Sequence, residues 1–265
     1  MLPLQPPAAS PAPAARLRLG RLAIDHLTAA GALDAIERLV ELRRGGMVVT
    51  PNVDHVVIAE RSDEFCAAYA EADLSLADGM PIIWSSRLLG APLPEKISGS
   101  DLVLPLMDRA AARGWRVFLL GAGPGVAAAA ALRLRRERGV VVVGTAAPHV
   151  RVGSGEADPE GDAAVDAIRA ASPHLVLVAF GAPKQEIWMR RRRQALSPAV
   201  LLGIGASLDF VAGRVRRAPR WISSSGLEWL WRLAREPRRL ARRYLLEDPR
   251  FLGVLWRELR SRRSS

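Results

Sequence analysis

Residues 115–125 read WRVFLLGAGPG, and an amphipathic stretch over 125–138 follows directly. An apolar run of this length, bounded by glycine, is the pattern of a strand buried on both faces, as in a parallel sheet covered by helices. Glycines at 121, 123 and 125 let the chain turn tightly from that strand into the next helix. Similar short apolar runs recur at 47–50 (MVVT), 74–77 (LSLA), 140–144 (VVVVG), 174–180 (HLVLVAF) and 200–204 (VLLGI). Helical spacing occupies 28–44, 53–70, 79–89, 100–113, 160–171 and 184–195 between them. The alternation predicts an α/β fold, a Rossmann-like, mostly parallel sheet with helices on both faces.

On either side of this body the composition changes. Residues 1–15, MLPLQPPAASPAPAA, are rich in Pro and Ala and have neither a basic start nor a continuous apolar run. They read as a disordered leader and not a signal peptide. The α/β body is expected over 16–213, and 214–265 reads as an Arg-rich amphipathic, helical C-terminal appendage. Residues 211–265 hold fifteen arginines against five acids, so most of the chain's net charge of +11 lies there. In that segment Trp221, Trp229, Leu230, Leu233, Leu240 and Tyr244 recur at near-helical spacing among the arginines. Such a tail suits an anionic partner: nucleic acid, an anionic lipid surface or a phosphorylated substrate.

The composition also excludes several classes. With 265 residues, 49% hydrophobic and 25% charged, the chain can bury a core and is not generally disordered. No apolar stretch is long enough to span a bilayer. The lone Cys66 forms no intrachain disulfide, and the four histidines show no metal-ligand spacing. A reducing, cytosolic compartment is expected, with no metal and no cofactor.

In parallel α/β sheets, ligands bind outside the carboxyl ends of the strands, so the residues just past each strand are the site candidates. Gly121, Gly123 and Gly125 open a helix whose N-terminus favours an anion. Position 126 is Val, and no acid closes the next strand, so the dinucleotide fingerprint is incomplete and a nicotinamide oxidoreductase is disfavoured. Asp78, in Ala-Asp-Gly, reads either as a helix cap or as a general base beside Thr50 and Asn52. Gly181, Lys184, Gln185 and Glu186 begin another helix. Glu186 suits the helix dipole there, whereas Lys184 makes sense beside an anion such as a diphosphate. Gln185 offers both a donor and an acceptor. Asp209 is open to capping, pairing with Arg214 or lining the pocket, and residues 190–193 (RRRR) read as a solvated helix face.

Together these stretches resemble the WecG/TagA/CpsF family of bacterial glycosyltransferases. The residues that carry the likeness are Thr50-Pro-Asn52, Ala77-Asp78-Gly79, Gly99-Ser-Asp101, Gly121–Gly125 and Gly181-Ala-Pro-Lys-Gln-Glu186. Arg217-Ala-Pro219 and Gly226-Leu-Glu-Trp229-Leu-Trp-Arg232 extend it. The resemblance implies an inverting, metal-independent transfer of a sugar from a UDP-sugar to a polyprenyl-diphosphate-linked saccharide, in cell-surface polysaccharide synthesis. It implies a protein peripheral to the inner face of the plasma membrane. Asp78 would be the base, with Thr50 and Asn52 beside it in the catalytic pocket. The donor would be held by Gly121, Gly123, Gly125, Gly181, Lys184, Gln185 and Glu186. The acceptor and its diphosphate would fall to Lys96, Arg214, Arg217, Arg220 and Arg232. Lys96 stands where family members commonly carry arginine, which keeps the charge without the bidentate fork. The basic appendage would meet an anionic membrane, and a homo-oligomer is plausible in such a family. The rival from another class is an α/β protein that binds nucleic acid through its arginine tail, although no specific nucleic acid partner is expected.

Overall fold

The computed structural model describes residues 16–153, 156–215, 228–235 and 247–263. Its centre is a six-stranded, wholly parallel sheet. The strands are β3 (Gly46–Val49), β4 (Leu74–Ser75), β5 (Arg116–Gly121), β6 (Val141–Ala146), β7 (Leu175–Ala179) and β8 (Val200–Gly203), in the order β4-β3-β8-β7-β5-β6. The six apolar runs marked in the sequence account for these six strands. Ahead of them, β1 (Arg16–Leu19) and β2 (Leu22–Asp25) form a separate antiparallel hairpin.

The helices are α1 (Ala29–Leu42), α2 (Val53–Ala59), α3 (Asp63–Ala70), α4 (Met80–Leu88), α5 (Gly99–Ala112), α6 (Val126–Arg138), α7 (Pro159–Ala171), α8 (Lys184–Leu196) and α9 (Ser207–Val211). Two more, α10 (Glu228–Arg235) and α11 (Arg250–Arg263), lie in the C-terminal segment. The helix expected over 53–70 is two helices, because the Ser62 hydroxyl accepts the Phe65 amide (3.2 Å) and starts α3 afresh.

Alternate strand residues feed two cores. Phe118 and Leu120 pack with α2, α3, α4, α7 and α8, whereas Val117 and Leu119 pack with α1, α5, α6 and α9. Right-handed crossovers explain this division. The chain moves one way along the sheet from β5 through α6 to β6, and the other way from β7 through α8 to β8, which puts α6 and α8 on opposite faces. The sheet's topological switch point is therefore the crevice between β5 and β7.

Two segments read from the sequence acquire tertiary partners. Arg190–Arg193 form a partly exposed face that is also ion-paired: Arg190 pairs with Glu71 (2.7 Å), Arg191 with Glu64 (2.6 Å), Arg192 with Asp162 (2.6 Å) and Arg193 with Asp73 (3.1 Å), tying α8 to α3, α7 and the start of β4. In the C-terminal segment, α11 buries Phe251, Val254 and Leu255 in the core that also contains α2. Arg257 is ion-paired with Glu60, and Arg262 donates to the Leu89 carbonyl (2.7 Å). The outward residues of α11 include Leu252 and Trp256, whose ring lies 4.2 Å beneath the Arg260 guanidinium. No helix among the described residues is long and apolar enough to cross a membrane.

Candidate active site

The switch-point crevice is walled by glycines for steric reasons. Gly121 has φ +97°, and a Cβ there would lie 2.8 Å from the Ala179 carbonyl carbon and oxygen, so no other residue fits. The Ala122 amide donates to that same carbonyl (2.8 Å) and locks the turn to β7. Gly125, at φ +72°, occupies the N-cap of α6 and brings no side chain to cap it. Across the crevice, Gly181 (φ +76°) leads to Pro183 at the N-cap of α8. Two thirteen-residue helices therefore point their positive ends at one crevice. Arg214 reaches the same place, its Nη2 only 3.2 Å from where a Cβ on Gly125 would stand.

The second half of the site lies past β3 and β4. Thr50 is buried, and its hydroxyl donates to the Gly203 carbonyl across to β8 (3.4 Å). Asn52 caps α2, its Oδ1 accepting the His55 amide (3.3 Å). The Asp78 amide donates to the Pro51 carbonyl (2.9 Å), so the half-buried Asp78 is joined to the loop that carries Thr50 and Asn52. The N-cap of α4 is Gly79, not Asp78. Lys96 enters beside them, because the Ile97 amide donates to the Ala77 carbonyl (2.6 Å). Its ammonium pairs with Asp101 at 3.1 Å.

Among the residues that open α8, only Lys184 is exposed, and its Nζ donates to the Val150 carbonyl (3.4 Å). Gln185 is buried, its Oε1 accepting the Gly205 amide (3.1 Å) and its Nε2 donating to Glu186 Oε1 (2.6 Å). Glu186 is 0% exposed. Its burial pushes the carboxyl up to about 7, opposed by the Gln185 hydrogen bond and aided by the nearby charge of Asp54.

Three further residues escaped sequence reasoning: Asp54, His55 and Tyr69. All three are buried, with the Tyr69 hydroxyl 2.7 Å from His55 Nδ1. Burial raises the Tyr69 phenol well above its ordinary range, helped by the charges of Glu186, Asp78 and Asp54. The phenol therefore keeps its proton. The available signal was two polar residues, Asp54 and His55, two and three positions after Asn52 in an otherwise apolar VDHVVIA.

The structure thus brings together Thr50, Asn52, Asp78 and Lys96 at one end of the edge, and Gly121, Gly123, Gly125, Gly181 and Arg214 at the crevice. Gln185, hydrogen-bonded to the loop after β8, stands between them. Arg217 and Arg220 lie outside the described residues. Arg232 falls within α10, its side chain likewise outside them. No group of three or more His, Cys, Asp or Glu among the described residues is arranged to hold a metal ion.

Residues 17–265 match the family described as the Glycosyl transferase WecG/TagA/CpsF family. Over 223 residues the chain is 31% identical to an N-acetylglucosaminyldiphosphoundecaprenol N-acetyl-beta-D-mannosaminyltransferase of Bacillus spizizenii, covering 84% of this chain and 83% of that protein. The chain belongs to the WecG/TagA/CpsF family of glycosyltransferases.

Proposed function

We propose that this glycosyltransferase moves a sugar from a UDP-sugar to a saccharide carried on a polyprenyl diphosphate, inverting the anomeric centre without a metal ion. The observation that supports it best is the backbone hydrogen bond from the Asp78 amide to the Pro51 carbonyl (2.9 Å), which holds the residue bearing the carboxylate against the Thr50-Pro51-Asn52 loop on the same sheet edge as the switch-point crevice. The Bacillus relative, an N-acetylglucosaminyldiphosphoundecaprenol N-acetyl-beta-D-mannosaminyltransferase, supports the acceptor class, a diphosphoundecaprenol-linked sugar.

In this reading the UDP diphosphate lies against the Gly121–Gly125 turn and the N-terminus of α6. Backbone amides and Arg214 neutralise its charge, the task a metal performs in other transferases. Asp78 takes the proton from the acceptor hydroxyl as its oxygen attacks the anomeric carbon. The bond from that carbon to the β-phosphate oxygen breaks, and UDP leaves with the electron pair. Attack from the face opposite UDP inverts the centre. Binding of the acceptor diphosphate is assigned to Lys96 and to the arginines of the C-terminal segment, Arg217, Arg220 and Arg232 among them. The outward Leu252 and Trp256 of α11, among arginines, suit an anionic membrane surface where such an acceptor resides.

The test is UDP release in EDTA, with a soluble polyprenyl-diphosphate-linked N-acetylglucosamine and a panel of UDP-sugars. Acceptor-dependent release with one donor is expected. Release only after magnesium is restored would overturn the metal-independent mechanism, and no release with any donor would overturn the substrate assignment.

A further inference from the structure

Glu186 is the one fully enclosed acid among the described residues of this region, and the transfer mechanism does not use it. Its Oε1 accepts from Gln185 Nε2 at 2.6 Å, while its Oε2 is buried without a hydrogen-bond partner. An ionisable group is not kept in such a place cheaply. What the arrangement achieves is orientation. With Nε2 held by Glu186, the Gln185 amide can only turn Oε1 toward the Gly205 amide, which it accepts at 3.1 Å. The same Nε2 lies 3.0 Å from where a Cβ on Gly203 would stand, so the chain of contacts runs tightly along the end of β8. Gly203 in turn accepts from the Thr50 hydroxyl at 3.4 Å. One linked path, Glu186 to Gln185 to the 203–205 backbone to Thr50, therefore joins the ends of β7, β8 and β3.

We propose that Glu186 is a positioning residue of the donor pocket, fixing the Gln185 amide and through it the loop after β8. The nucleotide ligand used below rests on the function proposed above; the hydrogen-bonded path does not. Titratable groups surround the path on each packed element: Asp54 and His55 on α2, Tyr69 on α3 and Asp78 after β4. Glutamine at 186 keeps an oxygen for Gln185 and turns its new N–H groups among these acids, so it preserves the path. Alanine abolishes it.

The experiment measures UDP binding by calorimetry on the full chain, together with amide hydrogen exchange at Gly205. Glu186→Ala is expected to weaken UDP binding about tenfold or more and to speed Gly205 exchange by a similar factor. Glu186→Gln is expected to bind UDP within about threefold of wild type at pH 8. Because ionised Glu186 holds Gln185 more strongly than a neutral group does, wild type and Glu186→Gln should converge at pH 6. A merely structural acid would give no such convergence and no rescue by glutamine. Unchanged Gly205 exchange and UDP affinity in a folded Glu186→Ala protein would overturn the proposal. If that variant does not fold, identical pH profiles for wild type and Glu186→Gln would overturn it instead. Should wild type itself fail to bind UDP, the nucleotide reading fails while Gly205 exchange in the variants still decides the positioning role.

Discussion

Helices α1, α3, α5 and α7 begin differently from α4, α6 and α8. The first group is entered from loops and opened by Thr28, Ser62, Ser98 and Asp158, each accepting a backbone amide of its own first turn. The second group is entered within five residues of the end of a parallel-sheet strand and opened by Gly79, Gly125 and Pro183, which have no side chain able to do so. Helix α2 combines the two, following β3 directly yet capped by Asn52. A side-chain cap consumes the first amides internally and stabilises the helix by about 1 kcal/mol. A glycine start gives up that stability and leaves the positive end of the helix directed at whatever occupies the crevice. The first group is built for stability, whereas the starts of α6 and α8 leave their amides open toward the crevice, as the proposed donor site requires.

The contrast can be broken most severely at Gly121. Gly121→Ala would force a Cβ to within 2.8 Å of the Ala179 backbone at φ +97°, and is expected to cost about 3 kcal/mol or more in urea unfolding. A cost under about 1 kcal/mol would mean that the crevice wall is not sterically set.

Next in size is the pH dependence of stability. The folded-state pKa of Glu186 is raised from 4.5 to about 7, so its contribution is fully present below pH 4.5 and is lost as pH rises through 7. The loss at higher pH amounts to about 3 kcal/mol. Glu186→Gln should flatten that slope and be the more stable protein at pH 8, read from melting curves across pH 5 to 8.

Smaller, and aimed at the comparison itself, are Ser62→Ala and Gly125→Ala. Each should destabilise the fold by about 1 kcal/mol, the first by losing a cap and the second by strain at φ +72°. Only Gly125→Ala should also weaken UDP binding. If both leave affinity unchanged, the distinction between the two kinds of helix start has no functional meaning. The smallest effect belongs to Arg192→Ala, which removes a partly exposed pair with Asp162 (2.6 Å) and should cost under about 1 kcal/mol, less still in high salt.

The parallel sheet was legible because its strands are buried on both faces and therefore apolar throughout. Glycine turns after β5 and β7 marked its ligand edge for the same reason. The β1–β2 hairpin was missed although Arg16-Leu17-Arg18-Leu19 alternates at period two, its leucines buried and its arginines exposed. It is short and stands outside the βα rhythm. The ion pairs of residues 190–193 were not legible because four successive arginines name no partners until tertiary packing supplies Glu71, Glu64, Asp162 and Asp73. Within the site, the sequence marked Asp78, Thr50 and Gln185 by their positions after strands. It did not separate Glu186, wholly enclosed, from the exposed Lys184 two residues earlier, because helix phase alone does not say how deep a pocket runs. The buried Asp54–His55–Tyr69 group needed α2 and α3 folded together before it existed.

The most direct test of the central claim is Asp78→Asn, assayed for both UDP affinity and acceptor-dependent UDP release. With Asp78 as general base, turnover should fall by about 10²- to 10⁴-fold while UDP affinity and folding stay as in wild type. Turnover within a few-fold of wild type would contradict the account.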